Sequence, residues 1–322
     1  MILITGGLGF IGQHVAKSLL DVGESCVLGQ RRPAAGPPDW LVASVEGADK
    51  RVVVEQVDVA DRAALLDLGA RHEITGIVHL AGAAHGSKGP LGNARDEIAG
   101  LLNVFEAAEA WGASRVGIAS TIGVYGGIDA SVMREEMPLL LETPHPIPAF
   151  KKVDEVLAGY IGAATGVEAV CYRIAAIWGP LGRPASPYVV AGQFVHAAVR
   201  GVKPDLSNLY APPYAEDGSD FCYVKDCGRA IALLQTAEKL NHRVYNVSSG
   251  RVTTNQQLIE AIRAVIPGAG VELPEGRNPQ YPGPNLYLDI TRARADVGYE
   301  PEYDVERAVA DYVAWLRAGN EK

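Results

Sequence analysis

The stretch Ile2-Leu3-Ile4-Thr5-Gly6-Gly7-Leu8-Gly9-Phe10-Ile11-Gly12 limits the fold of this chain more than any other. Three branched apolar residues suit a buried strand, and the apolar residues over 10–22 recur at helical spacing. The glycines between them leave the backbone bare and free to turn, so N–H groups can close around a ligand at a helix N-terminus. Strand, glycine turn and helix in that order predict a cradle for the pyrophosphate of a dinucleotide. Its residues are Gly6, Gly7, Leu8, Gly9, Phe10, Ile11 and Gly12.

Strand-like apolar runs recur at 24–28, 51–58, 74–80, 115–119 and 167–172, with helical patterns between them at 63–70, 93–111 and 151–164. Strands that are apolar throughout and alternate with helices predict an α/β fold, a doubly wound parallel sheet covered on both faces. Ligands in such sheets bind beyond the carboxyl ends of the strands, where Gly9, Asp58, Ala81 and Thr121 fall. The segment 34–50 reads as a Pro/Gly-rich connection. Past Pro180 the texture changes to a proline-rich loop at 181–188, a helix at 189–200 and an irregular stretch at 202–219. A strand is expected at 220–224, a helix at 227–240 capped by Asp226, a strand at 244–247, and amphipathic helices at 256–265 and 305–316.

With 48% of its 322 residues hydrophobic, the chain can bury a large core. A net charge of −9 and no Lys/Arg run longer than a pair argue against a nucleic-acid or anionic-membrane surface. No apolar run approaches the ~18 residues of a membrane span. Cys26, Cys171, Cys222 and Cys227 are scattered, and no histidine adjoins the last two. Buried thiols in a reducing cytoplasm are therefore expected, and no metal site.

Strand 24–28 leads into Gly29-Gln30-Arg31-Arg32. Dinucleotide-binding folds commonly end this strand in an acid that bonds a ribose 2′-hydroxyl. Gln30 near that place, with Arg31 and Arg32 after it, points to the 2′-phosphate of NADP in preference to NAD.

Further signals follow in order: Asp58-Val59, His79-Leu80-Ala81-Gly82, Asn103, Val124-Tyr125-Gly126, Arg173 before Trp178-Gly179-Pro180, Asp220-Phe221 and Tyr245-Asn246-Val247. With Thr5-Gly6-Gly7-Leu8-Gly9-Phe10-Ile11-Gly12, this set resembles the extended short-chain dehydrogenase/reductases, the group of NAD-dependent sugar epimerases and dehydratases. The resemblance implies a Rossmann-type dinucleotide domain over 1–180 plus about 220–250, and a smaller, loop-rich substrate lobe over about 181–219 plus 251–322. It implies that Asp58 and Val59 contact the adenine, and that Leu80, Ala81 and Gly82 line the ribose and nicotinamide side. It further implies a small polyhydroxylated substrate such as a nucleotide sugar, and a homodimer formed by helices 93–111 and 151–164 as a four-helix bundle.

The family's active site combines a Ser or Thr with a Tyr placed four residues before a Lys. By that resemblance Thr121, four residues before Tyr125, takes the hydroxyl position. Lys151, followed by Glu155 and Arg173 at family spacing, takes the lysine position and binds the cofactor. The tyrosine is absent: Ile147 stands four residues before Lys151, and Pro148 four before Lys152. Tyr160, nine residues after Lys151, is rotated by roughly 180° and displaced by about 13 Å along the same helix. Tyr125 is expected to pack in the core. Glu135, Glu136, His145, Tyr188, Tyr214 and Tyr223 remain as acid/base candidates. His145 lies two residues before the vacated position, and an imidazole can both donate and accept a proton. The sequence therefore predicts an NAD(P)-dependent oxidoreductase, epimerase or dehydratase with atypical proton transfer; the alternative is a non-redox enzyme or a dinucleotide-binding regulator.

Overall fold

The computed structural model describes residues 1–82, 88–143, 145–280 and 283–320. Seven parallel strands form one sheet: β1 (Ile2–Thr5), β2 (Cys26–Gln30), β3 (Val52–Gln56), β4 (Gly76–His79), β5 (Arg115–Thr121), β6 (Glu168–Ile174) and β7 (Val244–Val247). Their spatial order is β7-β6-β5-β4-β1-β2-β3. Ile4 is in register with Leu28 on one side and Val78 on the other. The chain runs outward from β1 through β2 and β3, then crosses back to β4. This reversal opens a crevice at the carboxyl ends of β1 and β4.

The strand period of two sorts side chains onto two cores. Ile2 and Ile4 point to one face with Leu19, Leu20, Ile231 and Leu234. Leu3 and Val27 point to the other with Leu65, Leu68, Leu101, Val104 and Ala158. The first face is covered by α1 (Phe10–Asp21) and α7 (Val224–Thr236), the second by α3 (Arg62–Arg71), α4 (Gly89–Trp111) and α5 (Pro146–Thr165). A third core gathers Phe194 and Val195 of α6 (Val190–Arg200), Leu258 and Ile262 of α8 (Asn255–Val265), and Val309, Tyr312 and Val313 of α10 (Val305–Arg317). No helix among the described residues is long and apolar enough to cross a membrane.

Several elements differ from expectation. The connection 34–50 holds α2 (Asp39–Ser44), whose Trp40 donates to Gln13 Oε1 at 2.8 Å and packs edge-on against Trp315. A further helix, α9 (Thr291–Val297), precedes Gly298. Helix α5 starts at Pro146, five residues before Lys151, because His145 caps it and proline suits the first turn. Helix α7 starts at Val224, so Asp226 lies in its first turn and is not its cap. The Asp226 carboxylate accepts the backbone N–H groups of Glu302 and Tyr303, each at 2.9 Å.

Candidate active site

The glycine turn is closely packed. Gly6 has φ +68°, and Gly9 N–H donates to Gly6 O at 2.8 Å. A Cβ on Gly12 would fall 2.5 Å from Gly6 O, and one on Gly7 would fall 2.8 Å from both Ile4 O and Leu28 Cα. Only glycine fits either place. Helix α1 begins at Phe10 with Gly9 as a cap that offers no side chain, so no side-chain oxygen of the cap occupies the first-turn N–H groups. Leu8 and Ile11 lean on the core. Thr5 Oγ1 accepts the N–H groups of Leu80 and Ala81 at 3.2 Å and lies 2.7 Å from His79 Nδ1, which ties β4 to the turn. A bare, positively polarised backbone that a Cβ would fill suits a pyrophosphate.

Beside the turn lies a cavity of about 200 Å³. Its lining brings together six predicted residues, Gly6, Arg31, Asp58, Val59, Ala81 and Gly82. Asp58 Oδ1 accepts the N–H of Ala60 at 3.0 Å, and Asn103 Nδ2 donates to Val59 O at 2.9 Å, so this loop is fixed. The cap of α3 is Asp61, not Asp58. Arg31 and Arg32 are exposed, and neither guanidinium is ion-paired among the described residues. Arg32 stands outside the cavity lining, with its carbonyl held by the Gln30 amide.

Lys151 Nζ lies 2.8 Å from Glu97 Oε1 on α4 and 2.8 Å from Asp154 Oδ2 on its own helix. The three side chains are 13%, 4% and 2% exposed. The two carboxylates hold the ammonium protonated, its pKa above the usual lysine value against the opposing effect of burial. A Cβ on Gly82 would lie 3.5 Å from Glu97 Oε2 and 3.8 Å from Lys151 Nζ, and Glu97 joins Gly82 in the cavity lining, so this cluster borders the cavity. Lys152 turns elsewhere and donates to Leu140 O. Neither Glu97 nor Asp154 figured in the sequence reading. Asp154 had a signal, an (i, i+3) spacing from Lys151; Glu97 had none.

Thr121 ends β5, and its Oγ1 accepts the N–H of Gly123 at 3.2 Å. A Cβ on Gly123 would lie 3.3 Å from Pro148 Cγ and 3.5 Å from Thr121 Cγ2, so the first turn of α5, with Ile147, abuts this strand end. Tyr125 is buried: its hydroxyl donates to Asn246 Oδ1 at 2.8 Å and accepts from Arg173 at 2.9 Å. Burial pushes its phenol up to about 12. Arg173 also forms a two-pronged pair with Glu155, at 2.9 and 2.7 Å.

His145 Nδ1 accepts the N–H of Ile147 at 3.3 Å, and Nε2 lies 3.2 Å from the Tyr188 hydroxyl. An accepting Nδ1 places the proton of the neutral ring on Nε2, so His145 donates to Tyr188. Tyr188 meets Tyr210 at 3.4 Å, and desolvation, then Tyr210, push its phenol up to about 12. Of the other candidates, Tyr223 donates to Asp311 at 2.5 Å, and Glu135 accepts the N–H of Asn246 at 2.9 Å. Glu136 pairs with Arg292 at 3.2 Å, and Tyr214 lies on a loop where its backbone N–H donates to Asp217 at 3.0 Å; Tyr160, set aside above, is 72% exposed. His145 and Tyr188 are thus brought together, and the remaining candidates are dispersed.

Residues 2–248 match the NAD dependent epimerase/dehydratase family. UDP-glucose 4-epimerase of Azospirillum brasilense is 27% identical over 98% of this chain and 92% of its own. dTDP-glucose 4,6-dehydratase of Actinoplanes sp. is 26% identical over 98% of both chains. Among solved structures, UDP-glucose 4-epimerase of Thermotoga maritima with UDP-glucose superposes with a TM-score of 0.80, at 23% identity and over 99% of each chain, which shows the shared fold. Together with the glycine cradle and the seven-stranded sheet, these matches place the chain among the enzymes of the NAD-dependent epimerase/dehydratase family.

Proposed function

We propose that this enzyme oxidises and reduces a polyhydroxylated small molecule, a nucleotide-linked sugar, with a bound NADP or NAD and without a tyrosine at the reacting centre. The observation that carries this reading is the alignment of the glycine cradle, the Asp58–Gly82 cavity and buried Lys151 along one crevice. When bound, the dinucleotide supplies a hydride acceptor and donor. The first-turn N–H groups of α1 neutralise its pyrophosphate. Asp58 and Val59 meet the adenine, and Leu80, Ala81 and Gly82 the ribose and nicotinamide side. Arg31, with Arg32 beside it, offers a cation for a 2′-phosphate where Gln30 brings no competing carboxylate.

Lys151 supports the cofactor, and Thr121 orients the substrate oxygen. His145, donating through Nε2, holds Tyr188 over the substrate side. A second cavity of about 220 Å³, lined by Tyr188, Gly218, Ser219, Phe221, Asn255 and Asn278, suits the rest of the substrate. In this reading 1–180 plus about 220–250 bind the dinucleotide, and about 181–219 plus 251–322 bind the substrate. The relatives' printed substrates, UDP-glucose and dTDP-glucose, support a nucleotide sugar. The exposed side chains of Leu91, Ile98 and Leu102 on α4 and Val153, Val156 and Tyr160 on α5 support a homodimer through these helices. Four free, buried cysteines fit the cytoplasm.

Ile147 favours one second reading, a dinucleotide-binding regulator on the same fold. Purified protein titrated with NADPH and NADH, then mixed with UDP- and dTDP-hexoses and analysed for products by NMR, separates the two. Turnover supports the enzyme; binding without any turnover supports the regulator; no binding of either dinucleotide removes both.

A further inference from the structure

A third cavity, of about 490 Å³, lies against α1 and α7, which cover the first face of the sheet. It shares no lining residue with the cavity beside the glycine turn or with the one at Tyr188. Helices α2 and α10 and the chain at 302–303 complete its walls. Trp40 leans on the first core and Trp315 on the third, so the cavity sits where two cores meet, a common place for ligand pockets.

One side of the lining is aromatic. The Trp40 and Trp315 rings stand 5.7 Å apart at 89°, and Tyr303 adds a third ring. A flat ring packs into such a corner against one face and one edge. The corner is fixed. Trp40 donates to Gln13 Oε1 at 2.8 Å, and Gln13 Nε2 donates to Leu8 O at 2.9 Å. His14 packs on Trp40 with ring centroids 5.4 Å apart and is itself held 3.0 Å from Pro180 O.

The other side is charged. Lys17 of α1 and Lys225 and Arg229 of α7 bring three half-buried cations to the lining. An ammonium has three N–H donors. Lys225 gives one to Asp311, which stands outside the lining, at 2.7 Å, and keeps two open among the described residues. The Asp226 carboxylate is taken up by the N–H groups of Glu302 and Tyr303. Asp21 and Glu302 also line the cavity, paired with Lys17 at 2.7 Å and Arg229 at 3.3 Å. They would repel a doubly charged phosphate more than a singly charged carboxylate.

We infer that this cavity is a second ligand site, which takes a flat aromatic ring bearing a carboxylate. The ring packs in the Trp40–Trp315 corner, and the carboxylate accepts from Lys225. The site stands apart from the reaction proposed above and does not depend on it. A gap left by loose packing would be apolar and dry; this one faces three rings with three cations.

The test uses the intact, ¹⁵N-labelled protein with no dinucleotide or sugar present. The probe is indole-3-acetate, and the neutral control is indole-3-acetamide. Calorimetry should show one acetate bound per chain with a Kd below about 1 mM, and the acetamide about tenfold weaker. The indole N–H resonance of Trp40 should move on binding. That of Trp111, which packs on the second core, should not. Trp315→Leu and Lys225→Gln should each weaken the acetate about tenfold. Lys17→Gln, which alters only an exposed pair within α1, should weaken it about threefold with the fold intact. No saturable binding, equal affinity for acid and amide, or movement of Trp111 with Trp40 unmoved would overturn the site. UMP binding more tightly than the acetate at the Trp40 resonance would overturn the carboxylate class.

Discussion

The backbone N–H of Ile147 is held by Nδ1 of His145, so the residue four positions before Lys151 is fixed by the cap of its own helix. The same ring reaches Tyr188 through Nε2. Two functions of one imidazole can be separated by substitution. His145→Asn should keep the cap and the melting temperature but lose the link to Tyr188. His145→Ala should also cost about 1 kcal/mol of stability. Thermal unfolding of both variants beside the wild type checks this; equal melting temperatures would remove the capping role.

Gly12→Ala should be poorly tolerated. Its Cβ would fall 2.5 Å from Gly6 O and 2.9 Å from Gly7 Cα, all backbone that cannot yield without opening the cradle. Overpacking of this kind costs about 1–3 kcal/mol. The larger effect should be on NADPH affinity, expected to fall by at least about tenfold. Equilibrium fluorescence titration measures it, and an unchanged affinity would mean that the pyrophosphate does not bind here.

Breaking the Glu155–Arg173 pair from one side should be costly. Both charges are buried, at 9% and 5% side-chain exposure, and Arg173 also supports Tyr125 and the carbonyl of Glu135. Glu155→Leu leaves the guanidinium uncompensated and should lower stability by about 3–5 kcal/mol. Glu155→Leu/Arg173→Met should cost less than the sum of the single changes in urea unfolding. Additive losses would show that the two residues act independently.

How much of this could be read from residues alone varies with the range of the interaction. The glycine turn and the parallel sheet were legible because each is written locally, in a motif or in strands apolar throughout. Thr121 and Lys151 were expected from the family resemblance, and His145 from its place two residues before Ile147. Helix α2 was not legible, because Trp40 is held by Gln13 and Trp315, far away in the chain. Asp226 looked like a cap, but its partners are N–H groups about 76 positions downstream. Glu97 was missed for the same reason: its link to Lys151 spans 54 positions and leaves no local pattern.

Acid should weaken the fold through His14. Desolvation pulls this buried ring down to about 4 from 6.5, partly offset by its 3.0 Å contact with Pro180 O. The folded state keeps it neutral, while the unfolded state takes up a proton below 6.5. The contribution is therefore complete above 6.5 and is lost as pH falls towards about 4. The loss is at most about 3 kcal/mol. His14→Gln should flatten that part of the stability–pH curve; an unchanged slope would assign it to other groups.

The central claim is that a dinucleotide occupies the crevice between the glycine turn and Lys151, with its 2′-phosphate beside Arg31. Equilibrium titration of the wild type and Arg31→Ala with NADPH and NADH tests it most directly. The account predicts saturable binding of one dinucleotide per chain, tighter for NADPH. Arg31→Ala should lose about tenfold for NADPH, or about 1.4 kcal/mol, with little change for NADH. Failure of the wild type to bind either dinucleotide would contradict it.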